Sequence, residues 1–402
     1  MEYREFGKTG KRVSRLGLGA MRLPETHTAL PLGAAGRLVR RAYAKGVNVV
    51  LETLGSARRV SRVDSDAAGE LIRYALARGV NFIDTAYIYT GSEQAIGRAV
   101  ADLNRSTFFV QTKAPLSVGE SPGAFRRCLE HSLQRLGMDY VDLFLAHGAC
   151  EAMLNGPLWD FISEARKAQS EGLVRHIGFS SHDKPAGVLR LIETHEFDCM
   201  LVQYNLLDTN YTVPIAHAHV QGMGVATMGP LAGGRLVKPP EAMKRLRLRV
   251  DHGVEPGLRF VLANDNIDVA LSGVSAISQL DENLEIASDM TPVSEEERQQ
   301  FELIVFEHRN VGDLRCTRCG YCMPCSEGVD IPGILQLALY LKLYDLREYA
   351  AEQYRLQRDT DQGADRCSGC GECEAKCPQA LAIADLLRQT HHLLVSTRLS
   401  RK

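Results

Sequence analysis

The chain has 402 residues and a formal net charge of -2. That length exceeds one barrel-sized core and leaves room for a small second one, while the near-neutral balance leaves no electrostatic footprint for nucleic acid. No stretch approaches the ~18 apolar residues of a membrane span, and the opening MEYREFGKTGKR is no secretory signal, so a cytoplasmic protein binding neither membrane nor nucleic acid is expected.

In chain order, short β-branched runs ending in Gly, Ser, Asp or His predict strands at 13–21, 81–86, 107–113, 141–146, 174–179, 199–203, 225–228 and 268–272. Helical stretches such as 123–136 and 158–171, apolar every three or four residues, separate them. Eight strands alternating with helices imply a parallel sheet, and the number favours closure into an α/β, (β/α)8 TIM barrel. GLGAM follows the first strand where an open dinucleotide-binding sheet carries GxGxxG.

One unit occurs twice. AAGRLVRRAYAKGVNVV, residues 34–50, matches AAGELIRYALARGVNFI, residues 67–83, at ten of seventeen positions. The copies part where charge enters: Leu51 stands in the first where Asp84 stands in the second, and Ser56 where Tyr89 stands. The first copy is chemically empty. It is expected to pack outside the barrel as an added helix and strand, within an insertion at about 30–65, because displacing its twin would carry Asp84 and Tyr89 away from Lys113.

Chemistry in a barrel of this kind sits at the C-terminal strand ends. Those ends bear Asp84 with Tyr89 five residues on, Lys113, and His147. Taken singly, each has a plain reading: a helix-entry cap, a loop aromatic, a strand-end lysine, a core histidine. Together they suit carbonyl reduction. A tyrosine whose ionisation a nearby ammonium eases donates the proton, Asp84 holds the lysine charged, and His147 orients the substrate oxygen.

NFIDTAYIYTGSE, FVQTK, DYVDLFLAHG, VRHIGFSSHD, VQYNLLD and the run from GPLAGG to QLDEN resemble the aldo-keto reductase superfamily over nearly all of residues 1–290. The resemblance implies a nicotinamide-dependent oxidoreductase, using NAD(P)H to reduce a small aldehyde or ketone or to oxidise the alcohol, with Tyr89 as general acid and Asp84, Lys113 and His147 completing a tetrad. It further implies dinucleotide contacts at Ser180 and Gln203 for the carboxamide, at Gly229, Pro230, Leu231 and Gly233 near the pyrophosphate, and at Ser275, Gln279, Glu282 and Asn283 around the adenosine. Three departures stand out. Ser180-Ser181-His182 replaces the Ser-Asn of many members; Met228 occupies a position commonly aromatic; and no Lys or Arg lies between Gly273 and Asn283 to meet a 2′-phosphate.

After the charged run 294–300 comes a cysteine-rich tail, which predicts a barrel over 1–300 and an iron-sulfur domain over 301–402. Eight of the eleven cysteines lie from Cys316 onward, while Cys128, Cys150 and Cys199 fall in or beside apolar patterns and read as buried small hydrophobes. Cys367, Cys370, Cys373 and Cys377, followed by Pro378, have the C-x2-C-x2-C-x3-C-P spacing of a bacterial [4Fe-4S] site. Cys316, Cys319, Cys322 and Cys325 run one residue shorter. The fourth cysteine of each run serves the other cluster in two-cluster ferredoxins. That rule assigns Cys316, Cys319, Cys322 and Cys377 to one cluster and Cys367, Cys370, Cys373 and Cys325 to the other. Zinc, or one cluster beside a vestigial group, are the rival readings, although zinc sites usually pair CxxC halves across a longer gap. The intervening run 333–356, apolar at helical spacing, resembles the long helix of helical ferredoxin modules. A subgroup of aldo-keto reductase-like proteins carries such a module, and this chain is similar to them.

Hydride moves two electrons and clusters pass one at a time, and no flavin site is evident to split the pair. Two functions follow as expectations: a reductase coupled to or stabilised by two [4Fe-4S] clusters, with a redox partner protein; or an electron-transfer or redox-sensing protein whose barrel binds cofactor without carbonyl turnover.

Overall fold

The computed structural model describes the chain except residues 32–49, 55–56, 117–120, 122, 235, 238–253, 290, 310–315, 317–321, 345, 378–380 and 398–402, and describes the backbone alone at 27–31, 50–54, 57–61, 304–309 and 343–344. It divides into two compact units, Met1–Gly233 with Gly257–Pro292, and Gly234–Pro256 with Val293–Lys402.

In the first unit, strands β1 (Tyr3–Glu5) and β2 (Arg12–Ser14) pair antiparallel, with Tyr3 opposite Ser14. β3 (Leu16–Gly19) follows, and then β4 (Glu25–Pro31), β5 (Val50–Leu54) and β6 (Ala57–Val63). β7 (Phe82–Asp84), β8 (Phe109–Pro115), β9 (Val141–His147), β10 (Val174–Ser181), β11 (Cys199–Gln203), β12 (Gly224–Met228) and β13 (Val269–Ser272) complete the strands. The closed barrel runs β10-β11-β12-β13-β3-β7-β8-β9, and every adjoining pair is parallel. The eight-stranded barrel expected from alternation is present.

The expected first strand over 13–21 divides in two at Arg15, which is 1% exposed and donates to the Leu262 carbonyl. Residues before the break join the N-terminal hairpin, and its Phe6 and Val13 enter the barrel core, Phe6 lying 5.5 Å from Phe82 between ring centroids. Burying two large side chains across the barrel's N-terminal end outweighs continuing one straight strand. At that end Asp142, Asp198 and Asp268 each accept a backbone N–H of the neighbouring strand, from Val110 at 2.9 Å, Ile177 at 2.9 Å and Val225 at 2.8 Å.

The strands of the duplicated unit lie in different sheets. β7, from the second copy, sits in the barrel between β3 and β8, whereas β5, from the first, lies in a separate antiparallel sheet of order β4-β6-β5. An added strand is thus one of three, and the expected added helix falls at 34–49, outside the described residues. The second copy's helix, Ser65–Ala77, starts where the Asp64 carboxylate accepts the N–H groups of Asp66 and Ala67, each at 3.2 Å. It buries Ala68, Leu71, Ile72 and Ala75, one stripe at helical spacing.

The second unit contains helices Glu295–Arg309, Ile331–Tyr344, Arg347–Asp359 and Ile383–Ser396, with a short turn of helix at Glu372–Ala375. The single long helix expected between the cysteine groups is two. The Leu346 N–H turns back to the Tyr340 carbonyl at 3.2 Å, which ends the first helix and brings Tyr340 and Tyr349 to 6.1 Å. Folding the run on itself buries Leu335, Ala338, Ala351 and Tyr354, an apolar face too long for one solvated helix to hide. Among the described residues no helix is long and apolar enough to cross a membrane.

Candidate functional site

Phe82, Leu143, Leu145, Cys199, Leu201, Ala226, Val269 and Leu271 fill the barrel core, with Phe109 and Met228 packed against it. Side chains on a strand repeat every two residues, so the next residues of the same parity continue that inward face. They are Asp84 after Phe82, Gln111 and Lys113 after Phe109, His147 after Leu145, and Gln203 after Leu201. The site is the polar top layer of an otherwise apolar interior. Cys199, 0% exposed, belongs to that interior and Cys128, 4% exposed, is buried as well, while Cys150 is half-buried.

The four tetrad residues come together. Lys113 Nζ lies 2.5 Å from Asp84 Oδ1 and donates to the Thr85 carbonyl at 2.8 Å. Gln111 Nε2 donates to the same Asp84 oxygen at 2.6 Å. Tyr89, on the segment after β7, places its ring centroid 5.0 Å from Lys113 Nζ and 5.9 Å from the His147 ring, which meets it edge-on at 86°. Gln111 escaped the sequence reading, although its alternation with Lys113 marks it.

Electrostatics here differ from the simple expectation. Burial, and then the Asp84 carboxylate, push the Tyr89 phenol above its ordinary value. Lys113 is pulled down by burial and held up by Asp84. The ammonium is thus committed to its carboxylate, and the phenol keeps its proton. His147 is lowered to about 4, by burial first and by Lys113 and His182 after it. It is therefore a neutral imidazole, and its buried Nδ1 has no hydrogen-bond partner among the described residues.

Around this centre, Ser180, 3% exposed, accepts the Gly148 N–H at 3.1 Å, and Gln203 Nε2 donates to Asp208 Oδ2 at 2.8 Å. Gly229 is left-handed at φ 64 and accepts from Asn205 Nδ2 at 3.0 Å; Pro230 and Leu231 follow, and then Gly233, also left-handed at φ 67. A Cβ added at Gly233 would meet nothing within 4 Å, and one at Gly229 only the Gln203 stem, so open space lies over this turn. Gln279 Oε1 accepts the Ser275 N–H at 2.9 Å, Glu282 is half-buried, and Asn283 is buried with its Nδ2 donating to Ser272 Oγ at 2.8 Å. Ser181 is fully buried, its hydroxyl donating to the Ala149 carbonyl at 2.7 Å, so it is turned into the protein. Met228 is half-buried at its strand end and His182 is exposed. The basic residue missing from 273–283 has a candidate on the next strand's loop. Exposed Arg22 lies across Gly273, where an added Cβ would come within 3.0 Å of its Cγ.

These residues fit a nicotinamide dinucleotide: a hydroxyl and an amide, from Ser180 and Gln203, at the strand ends, an open left-handed glycine turn, and a neutral histidine nitrogen without a partner among the described residues, beside a phenol.

In the second unit, Cys325, Cys367, Cys370 and Cys373 line one pocket, with Cys322 also on its wall. The first four are the set expected to share a cluster across the two runs. Gly369 and Gly371 adopt φ 74 and 77, and nothing lies within 4 Å of a Cβ added at either, so the backbone is free to approach a ligand closely. Among the described residues the thiols line the wall without converging on one point. Five thiols on one wall, beside Glu327 and Glu372, fit iron-sulfur ligation. Cys316 and Cys377 are described at half-buried positions, and Cys319 lies outside the described residues.

Comparison with known proteins agrees with both units. The aldo/keto reductase family matches residues 51–305, and the 4Fe-4S dicluster domain matches residues 313–381. L-galactose dehydrogenase of Arabidopsis thaliana is 26% identical over 317 residues, covering 72% of this chain and 89% of that protein. The NADH-specific methylglyoxal reductase of Escherichia coli is 29% identical over 176 residues, covering 38% and 53%. An aldo-keto reductase from Klebsiella pneumoniae, solved in complex with NADPH, superposes with a TM-score of 0.57 at 20% identity, over 76% of this chain and 96% of that one. With the family matched over more than half its length, a closed eight-stranded barrel, and a cysteine-lined cavity after it, this chain belongs to the aldo/keto reductase family, as an oxidoreductase carrying a C-terminal 4Fe-4S dicluster domain.

Proposed function

We propose that the chain reduces a small aldehyde or ketone, or oxidises the corresponding alcohol, with a nicotinamide dinucleotide, and that its C-terminal domain holds two [4Fe-4S] clusters. In this reading residues 1–300 carry the dinucleotide chemistry and residues 301–402 the clusters. The observation that carries it is the assembly of Tyr89, Lys113, Asp84 and His147 in one polar layer above an apolar core.

A bound dihydronicotinamide supplies hydride to the carbonyl carbon. Tyr89, protonated across the neutral range, gives its phenolic proton to the carbonyl oxygen as the alkoxide forms. His147, neutral, has a ring nitrogen to orient that oxygen. The Lys113–Asp84 pair, with Gln111, fixes the floor under the phenol and becomes the nearest charge to any phenolate. Ser180 and Gln203 would hold the carboxamide, the turn from Gly229 to Gly233 the pyrophosphate, and Ser275, Gln279, Glu282 and Asn283 the adenosine side. In the second domain Cys325, Cys367, Cys370 and Cys373 would hold one cluster and Cys316, Cys319, Cys322 and Cys377 the other, each passing single electrons to or from a redox partner. Thiolate-held clusters suit a reducing compartment such as the cytoplasm.

The test is one anaerobic preparation assayed three ways: iron and sulfide content, dinucleotide binding by fluorescence, and oxidation of NADPH or NADH with 4-nitrobenzaldehyde as probe. About eight irons, dinucleotide binding and turnover support the reading. Binding without turnover of any tested carbonyl favours the electron-transfer alternative, and absence of dinucleotide binding sinks both. Arg22 sets the dinucleotide preference if it meets a 2′-phosphate. Arg22→Gln is then expected to weaken NADPH binding by about tenfold and leave NADH unchanged. Equal loss for both dinucleotides assigns Arg22 to the pyrophosphate instead.

A further inference from the structure

Beside the tetrad, on the outer side of the strand wall, lies a buried charge network that none of the groups assigned above uses. Thr112 alternates with inward-facing Lys113 and so points outward, where its hydroxyl donates to Glu93 Oε1 at 2.7 Å. Glu93 is 1% exposed, and its second oxygen faces Arg135 at 3.2 Å. Arg135 donates to the Tyr87 carbonyl at 3.0 Å and lies 4.4 Å from the Tyr87 ring centroid. The Tyr87 N–H, in turn, donates to the Lys113 carbonyl at 3.0 Å. Tyr87 is two residues from Tyr89. The segment that carries the phenol is thus gripped at both backbone groups of Tyr87, by the lysine strand on one side and by an arginine paired with a buried carboxylate on the other.

We propose that Glu93 and Arg135 are positioning residues, a clamp at Tyr87 that holds the Tyr89 phenol in register with Lys113 and His147. The proposal rests on the carbonyl-reductase reading. A buried carboxylate is costly unless charge-paired and hydrogen-bonded, and Glu93 has both kinds of partner. Its two oxygens join the lysine strand to the helix Ala124–Leu136, which supplies Arg135. The clamp contacts none of the dinucleotide-contact residues; it acts on the segment after β7 that carries Tyr89, and Glu93 also favours the charged form of Lys113, so its loss acts on proton delivery. Displacing a reacting group by about 1 Å is enough to cost ~10²-fold.

Arg135→Ala and Glu93→Gln are therefore each expected to lower kcat by about 10- to 100-fold with KM and dinucleotide affinity changed less than about threefold, and Arg135→Lys to recover part of the loss. The second readout is hydrogen exchange on the dinucleotide-bound protein. The Tyr87 amide should exchange at least about tenfold faster in the variants, while the Val110 amide, held by Asp142, keeps its rate. A raised KM at unchanged kcat, unchanged exchange at Tyr87, or uniformly faster exchange throughout the barrel would overturn the proposal. Should the wild-type protein turn over no carbonyl, the carbonyl-reductase reading fails, and with it the catalytic half of the proposal. The exchange rates then decide the clamp alone, and selective acceleration at Tyr87 upholds it.

Discussion

Replacing Tyr89 by Phe is expected to lower kcat for carbonyl reduction by about 10²- to 10⁴-fold, the usual worth of a positioned general acid, while dinucleotide affinity stays within about twofold. The phenol is half-buried between Lys113 and His147, and phenylalanine keeps the ring while deleting only the hydroxyl. The pH dependence should report the same group. Burial and Asp84 raise the phenol's pKa, so reduction is not limited by loss of that proton through neutral pH. Alcohol oxidation needs the phenolate, so its kcat should still be climbing at alkaline pH in the wild type and lose that climb in Tyr89→Phe. His147, lowered to about 4, leaves any acid limb of its own below about pH 5. Stopped-flow measurement of the first turnover checks this free of product release. Unchanged turnover in the variant removes Tyr89 from the chemistry and leaves the barrel as a dinucleotide-binding platform.

The second large effect concerns the cysteines. If ligation is crossed, Cys325→Ser and Cys370→Ser damage the same cluster, because both line the one cavity with Cys367 and Cys373. Each variant should fall from about eight irons to about four, or keep a cluster with a shifted potential, and the EPR signal that survives should be the same in both. Cys377→Ser should remove the other signal. If instead each run closes its own cluster, Cys377→Ser groups with Cys370→Ser, and Cys325→Ser with Cys322→Ser. The grouping of spectra decides between the two patterns even where iron is lost only partly. Retention of full iron in Cys370→Ser would count against any cluster at this cavity.

Much of this architecture is legible in the sequence, because period-two runs and their terminal residues encode both the barrel and its polar rim. Asp84, Lys113 and His147 are readable as strand ends without any knowledge of their neighbours. What escapes is decided by partners distant in the chain. The strand over 13–21 looks continuous until Phe6 and Val13 find the barrel core. The apolar run 333–356 looks like one helix because nothing local marks its turn; the Tyr340–Tyr349 contact exists only after folding. Glu93 carries no local mark of burial, and it is Thr112 and Arg135, distant in the chain, that enclose it. β4 and β6 offer little apolar alternation and pair with each other across the insertion.

The Lys113–Asp84 pair also serves as an address during folding. A chain holding two near-copies of one helix-strand unit has two candidates for the slot between β3 and β8. A barrel closed with the earlier copy would set Leu51 where Asp84 belongs and strand a buried ammonium without a counter-charge, an error of about 3–5 kcal/mol. The lysine thereby disfavours closure of the barrel on the earlier copy.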